Sequence, residues 1–540
     1  MFQTFGARWG LAWEWLMHAR HDSPGNRGGI MKNRSIAARL AVTAAVGALA
    51  FAPGAADAKT LKEAAETAVV THPEVGQLRF SRRAIEQELR ATRGGYLPQL
   101  DVRGAIGHEW VNNNATRTRT QRVNGEGGWI DMNRYEAGVS LRQLLFDGFG
   151  TDSEVNRQFF RVESSAFRTM DTAQAIALRA IEAYLEIQRT QRILEIAIQN
   201  VRIHEEILRR VQARARGGRG PQSDVDQAQA RLSNAQANVA TARRQYGDAV
   251  ALYVQAVGEQ PAGLTDTTSP DGALPPSAEE AVTAAMDQAP AVRAALADVR
   301  VAHAAIGVAD SRWFPIVTAE ANYNFLYGAD GVRGQAEAFS LMLQGRWNLY
   351  RGGADLARKR ESVARLYEAR ETLERSRREV AQQTRVSWNA VQSARERRVA
   401  LQQQLAANER VRVAYSQQFD RGRRTLLDLL DIQNEIFNNQ TGLATEEATV
   451  RFGIYRTLAS MGRLLDVLGI APPGEATRPP PRSLFHSVGD DLTPRREDML
   501  FSVPADGPRG APASAPPPAA TEPPPPAPAQ PAPPAPARPQ

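Results

Sequence analysis

Cysteine is absent from all 540 residues. That excludes a disulfide framework, a cysteine zinc site and a lipid-modified N-terminal cysteine. Aromatic residues make up only 7%, and Ala, Arg, Gln and Glu dominate the middle of the chain, which argues against a large-core enzyme. Lysine is scarce. Only Lys32, Lys59, Lys62 and Lys359 contribute to the 66 basic residues behind a net charge of +7. A phosphate-binding loop needs glycine directly before lysine. The residues before these four are Met31, Ala58, Leu61 and Arg358, so nucleotide hydrolysis by that route is excluded. The seven histidines are scattered and form no His-Glu-x-x-His pair, so no metal site, catalytic constellation or cofactor is expected. Charges alternate in sign instead of forming one basic stripe, which disfavours nucleic acid as a partner. Arg216-Gly217-Gly218-Arg219-Gly220 is similar to an RNA-binding tract, but a single copy at a helix break reads as a turn. After the N-terminal region, no segment offers the ~20 uninterrupted apolar residues of a membrane helix.

Both ends have distinct compositions. From Met31, Lys32, Arg34 and Arg39 precede an apolar run from Leu40 to Ala52, and Ala56-Asp57-Ala58 follows. Basic region, apolar region and small-residue cleavage site stand in the order of a secretory signal peptide. Residues 1–58 are therefore assigned to a signal region with its start at Met31 and cleavage after Ala58; residues 1–30 have no place in such a signal. Residues 473–540 are rich in proline, end in APASAPPPAATEPPPPAPAQPAPPAPARPQ and cannot bury a core, so they are expected to form a disordered tail.

Between these ends the chain repeats itself. Pro73, in Thr71-His72-Pro73-Glu74-Val75, lies 25 residues before Pro98. Pro290, in Gln288-Ala289-Pro290-Ala291-Val292, lies 25 before Pro315. Phe146-Asp147-Gly148 corresponds to Tyr350-Arg351-Gly352, and Gly218 and Gly422 each stand six residues before an aspartate, Asp224 and Asp428. The period of just over 200 residues is too long for a solenoid. It divides the chain into repeats at 59–265 and 266–472, each expected to run helix, two strands, long helix, turn and second helix.

Val317, Ala319, Ala321, Tyr323, Phe325 and Tyr327 alternate with Thr318, Glu320, Asn322 and Asn324. Phe339, Leu341 and Leu343 alternate with Ser340, Gln344 and Arg346, and Tyr135, Ala137, Val139 and Leu141 with Glu136, Ser140 and Arg142. A weaker partner runs from Leu100 to Trp110. This period of two fits a half-buried soluble strand and equally a transmembrane barrel strand. Phe149–Arg216 and Ala354–Arg421 contain no proline, and each would reach about 100 Å as an unbroken helix. Leu194, Ile198, Val201, Leu208 and Val211 follow coiled-coil spacing. Four strands cannot close a barrel, for which about eight is the practical minimum. Nor can an open strand edge lie in lipid. If the strands are transmembrane, several chains must pool them.

These features together resemble the TolC-like outer-membrane channel family over about residues 59–470. The most specific stretches are Gln143–Gly148, Trp347–Gly353 and Phe419–Gln433. The resemblance implies an α+β membrane protein: a trimeric 12-stranded β-barrel, four strands per chain, continued by a long α-helical coiled-coil periplasmic tunnel. It implies outer-membrane lipid, a periplasmic adaptor (membrane fusion) protein and an inner-membrane ABC transporter or proton-driven pump as partners. The function expected is the passive exit duct of a type I protein secretion system, for a large adhesin or RTX-type cargo, gated at its periplasmic tip. A drug-efflux outlet is the alternative, and a periplasmic coiled-coil structural protein a remote one.

Asp428 and Asp431, three apart, share a helix face. By spacing alone they read as a solvated acidic face or as first-turn carboxylates on a helix dipole. By resemblance they form a ring at the tunnel entrance. Also by resemblance, Arg424 is a gate latch that bonds Asp224 and its neighbour Ser223, and Gly218 and Gly422 mark hairpin tips that meet a partner. Phe419 stands where the family often has tyrosine, so a second latch through that hydroxyl is not available.

Overall fold

The computed structural model describes residues 59–114, 116–118, 128–265 and 269–479. The expected signal region and the chain beyond Pro479 lie outside the described residues. The first repeat comprises α1 (Leu61–Thr71), α2 (Pro73–Arg93), β1 (Gln99–Val111), β2 (Ile130–Phe146), α3 (Gly150–Arg216) and α4 (Gln222–Val257). The second comprises α5 (Ala278–Gln288), α6 (Pro290–Asp310), β3 (Ile316–Ala329), β4 (Val332–Arg346), α7 (Ala354–Asp420) and α8 (Leu426–Ser460). Two short helices follow, α9 (Leu464–Leu468) and α10 (Gly474–Thr477). The order of elements is the same twice, and the fold is α+β.

Matching positions start the matching helices. Thr60 Oγ1 accepts from the Glu63 amide at 3.3 Å to cap α1, and Ser277 Oγ accepts from the Glu280 amide at 3.2 Å to cap α5. Pro73 and Pro290 open α2 and α6, where a missing N–H costs nothing. Pro73 and Pro290 are 217 residues apart, whereas Gly218 and Gly422 are 204 apart. The difference lies in the strand hairpins: β1 and β2 are joined through residues 112–129, β3 and β4 by Asp330-Gly331 alone.

The four strands form one antiparallel sheet in the order β1-β2-β3-β4. Its register turns the alternation of single strands into continuous rows. Leu100, Leu141, Ala321 and Leu341 lie side by side, and next to them Val102, Val139, Tyr323 and Phe339. Val102 and Phe339 are 76% and 72% exposed. On the opposite face the rows read Asp101, Ser140, Asn322, Ser340 and Arg103, Gly138, Asn324, Ala338. Arg103 Nη2 donates to Asn324 Oδ1 at 2.7 Å, passing over β2 at Gly138. A Cβ at Gly138 would stand 2.9 Å from Arg103 Nε, so glycine is what lets the arginine span three strands. One face of the sheet is thus apolar and bare, which in a folded chain marks a surface meant for contact. The outer edges of β1 and β4 have no strand partner among the described residues.

The helices α3 and α7 are 67 residues each, about 100 Å at the standard rise. Their waist is packed with small residues. Ala64 and Ala68 of α1 meet Ala173, Ala177 and Ala180 of α3, with Tyr184, Tyr253, Ile454 and Leu458 filling the larger spaces.

The chain stays folded past residue 472, beyond the boundary that its proline content suggests for the tail. The α10 turn carries Glu475 into three arginines of α2. Arg79 Nε donates to Glu475 Oε2 at 2.8 Å, Arg83 Nη2 to Oε1 at 2.7 Å, and the fully buried Arg82 donates to the Arg478 carbonyl at 2.6 Å. Burial would push the Glu475 carboxyl up. The Arg79, main-chain and Arg83 donors outweigh it and bring the pKa to about 2, against an ordinary 4.5. Because the folded value is depressed, this stabilisation is complete above about pH 4.5 and fades as pH falls towards 2. Removing one partner of such a pair costs on the order of 3 kcal/mol. Glu475→Gln should therefore strip hydrogen-exchange protection from residues 474–478 at neutral pH, and the gap to the parent should close near pH 2. Truncation after residue 480 should leave that protection intact.

Candidate functional site

Both long hairpins reverse through the same turn. Gly218, at φ +71°, donates its N–H to the Ala215 carbonyl, while Arg219 N–H donates to the Arg214 carbonyl at 2.9 Å. Gly422, at φ +74°, and Arg423 repeat this on the Phe419 and Gln418 carbonyls, at 2.9 and 2.8 Å. This pairing closes a helix C-terminus around a left-handed residue. A Cβ added at Gly218 would meet nothing within 4 Å, so conformation alone demands the glycine.

Beneath the turns lies a second apolar cluster. Phe419, Leu426, Leu429 and Leu430 from the second hairpin pack on Ile207, Leu208 and Val211 from the first. Phe419 is 4% exposed. The Arg214 guanidinium sits 4.5 Å from its ring centroid and donates to its carbonyl at 2.7 Å. Phe419 is therefore an apolar anchor held by an arginine of the other repeat. Two more arginines of the first repeat make the same crossing. Arg210 donates to Ser416 Oγ at 3.1 Å, and Arg231 reaches Asp431 at 3.5 Å. Each exposed pair is worth about 0–1 kcal/mol, and together they set the register of the two tips. Deeper in, Gln433 Nε2 donates to Asn200 Oδ1 at 3.1 Å between the hairpins. His204 lies buried nearby; burial first, and then the Arg231 charge, lower its pKa and favour the neutral ring.

Asp428 and Asp431 stand in the first two turns of α8. Asp428 is the third residue of a capping box. Thr425 Oγ1 accepts from the Asp428 amide at 3.3 Å, and Asp428 Oδ2 accepts from the Thr425 hydroxyl at 2.7 Å and its amide at 3.3 Å. The Thr425 hydroxyl is the main reason the Asp428 carboxyl stays below the usual carboxylate range. The first-turn reading of this aspartate is thus realised, yet about a third of its side chain stays open to solvent. Asp431 is 58% exposed with Arg231 as its ion pair.

Arg424 lies 4.3 Å over the Tyr415 ring, donates to Gln418 Oε1 at 3.2 Å and reaches Asp428 at 3.4 Å. Asp224 is half-buried in the first turn of α4 beside exposed Ser223. No ion pair within the chain joins Arg424 to Asp224 among the described residues. Nor do the described residues contain a group of three or more side chains able to hold a metal ion.

The model of the outer membrane efflux protein family matches residues 64–259 and 281–451, more than half of the chain. The outer membrane efflux protein BepC of Brucella suis is 26% identical over 418 residues, covering 77% of this chain and 88% of that one. The alkaline protease secretion protein AprF of Pseudomonas aeruginosa is 25% identical over 372 residues, covering 65% and 74%. Among solved structures, the CmeC outer membrane channel of Campylobacter jejuni shares the fold with a TM-score of 0.65 at 13% identity, covering 75% of this chain and 86% of that one.

Proposed function

Because the chain belongs to the outer membrane efflux protein family, we propose that three copies build a passive exit duct through the outer membrane, continued by helices into the periplasm. The supporting observation is the sheet: four strands, one bare apolar face and two outer edges without a strand partner among the described residues. Three copies set edge to edge, β4 of each beside β1 of the next, give twelve strands and leave no edge open to lipid. The polar rows headed by Asp101 and Arg103 then face the lumen. The duct does no chemistry of its own and takes its energy from an inner-membrane transporter, reached through a periplasmic adaptor at the tips around Gly218 and Gly422.

The absence of native cysteine makes the ring directly testable. Cysteine pairs introduced along β1 and β4 should yield disulfide-linked trimers in outer membranes and no larger species. An open ladder, or monomer alone at every pair tried, would refute the closed ring.

For the cargo, type I protein secretion is the reading preferred, supported by the Trp347–Gly353 stretch and by a relative named for protease secretion. The efflux reading has its own support in the BepC relative. Deleting the gene and comparing secreted proteins with drug susceptibility separates the two. Loss of a large secreted protein at unchanged susceptibility supports secretion, and the reverse pattern overturns it.

A further inference from the structure

Tyr184 stands in the middle of α3, fully buried, and its hydroxyl meets two main-chain carbonyls: Lys59 at 3.0 Å and Thr265 at 2.9 Å. Gln188, one turn on, donates to the same Thr265 carbonyl at 2.8 Å. Lys59 N–H donates to the Ala262 carbonyl at 3.2 Å, and the Lys59 ammonium pairs with Glu259. One residue before the Thr60 cap is therefore held at its N–H, its carbonyl and its side chain. The groups that hold it come from α3 and from the segment that ends the first repeat.

The second repeat has the same device with a different occupant. Trp388 lies 204 residues after Tyr184, the offset of the long helices, and its Nε1 donates to the Pro275 carbonyl at 3.3 Å. Pro275 stands two residues before the Ser277 cap of α5, and Lys59 one residue before the Thr60 cap of α1. There the gripped residue is ordinary chain arriving from the first repeat. In the first repeat the gripped residue directly follows Ala56-Asp57-Ala58, the small-residue pattern of a leader cleavage site.

With cleavage after Ala58 as the sequence leads one to expect, we propose that Tyr184, Glu259 and the Ala262 carbonyl, with Gln188 bracing the Thr265 carbonyl that Tyr184 also meets, form a built seat for the new terminus at Lys59. Hydrolysis of the Ala58–Lys59 amide consumes one water. Ala58 leaves as a carboxylate on the leader, and the Lys59 nitrogen takes up protons to become an ammonium. An α-ammonium, ordinarily titrating near 7.7–8.0, carries three N–H donors where the amide had one. The Ala262 carbonyl already faces that nitrogen, and the Glu259 carboxylate supplies the opposite charge within the same residue's reach. Cleavage thereby pins the start of the first repeat to its end.

After cleavage the chain holds three lysines, Lys59, Lys62 and Lys359, so amine labelling can be mapped cleanly. Mass spectrometry of protein purified from outer membranes should read Lys59-Thr60-Leu61 at its start; any other first residue overturns the proposal. Brief labelling of the folded protein with an amine-reactive ester should modify the Lys59 α-amine about tenfold more slowly than in the denatured chain, a ratio equivalent to about 1.4 kcal/mol of seating. Tyr184→Phe should restore much of that rate, and Glu259→Gln should do so without touching the core. If the folded parent and the Glu259→Gln protein both label as fast as the denatured chain, the terminus is not seated, even with the start at Lys59.

Discussion

Arginine at Tyr323 should abolish trimer in outer membranes, whereas arginine at Asn322 should leave it near the parental level. The two residues are neighbours on β3, so strand propensity and distance from the strand ends are nearly the same. Only the face differs. Tyr323 lies between Val139 and Phe339 in an apolar row, and Asn322 between Ser140 and Ser340 in a polar one. A lipid-facing arginine costs about 2–4 kcal/mol near the bilayer midplane, and a ring of three copies incurs it three times. An arginine among serines and asparagines on a wet inner face keeps its hydration. Trimer yield after outer-membrane extraction reads the difference, and equal yields from the two variants would remove the barrel assignment.

Asparagine at both Asp428 and Asp431 should sharply weaken cation preference and abolish block by multivalent cations added from the periplasmic side. If three copies bring their Asp428 and Asp431 carboxylates to one opening, these close like charges attract counter-ions and raise one another's pKa. The structure dictates asparagine over alanine. Asp428 is the third residue of the capping box at the start of α8 and accepts from the Thr425 amide and hydroxyl, and losing that reciprocal bond would cost about 0.5–1.5 kcal/mol and loosen the tip regardless of charge. Asparagine keeps an acceptor for the Thr425 hydroxyl while removing the charge. Arg424→Ser tests the latch in the same bilayers. If Arg424 bonds Asp224 of a neighbouring copy, resting conductance should rise. If it acts only on Asp428, which it reaches within its own chain, cation preference should rise at unchanged conductance. Unaltered selectivity and block in the double asparagine protein would refute the ring.

Much of the architecture is legible in the sequence because it lies in periodicities that lipid and repetition impose. The alternation of Val317 to Tyr327 is clear since one face of the sheet is apolar throughout its central rows, and the recurrence of Pro73 at Pro290 sets the order of elements. What is not legible depends on contacts distant in sequence. Nothing local announces that Glu475, in a four-residue helix after two prolines, enters a pocket of α2 arginines almost 400 residues earlier. The one available signal is the cluster Arg79, Arg82, Arg83 on a helix that must bury a face. Likewise no local pattern singles out Arg210, Arg214 and Arg231, which fasten one hairpin to the other. At the site, the spacing of Asp428 and Asp431 places both on one face, but only the Thr425 geometry shows that one of them also serves its own helix. Phe419 registers in the sequence as a missing hydroxyl, while its position under Arg214 makes it part of the tip's apolar anchor.

A sheet whose two outer edges have no strand partner among the described residues also has a genetic consequence. In the proposed ring each copy must satisfy a neighbour on either side, through β1 on one flank and β4 on the other. A chain that folds normally but carries one spoiled edge would still enter the ring and prevent its closure. When such a chain is made in equal amounts with the intact one, random mixing leaves only about one ring in eight free of it. Edge-strand alleles would then behave as dominant poisons, while alleles that destroy folding outright, and never reach the ring, would be recessive.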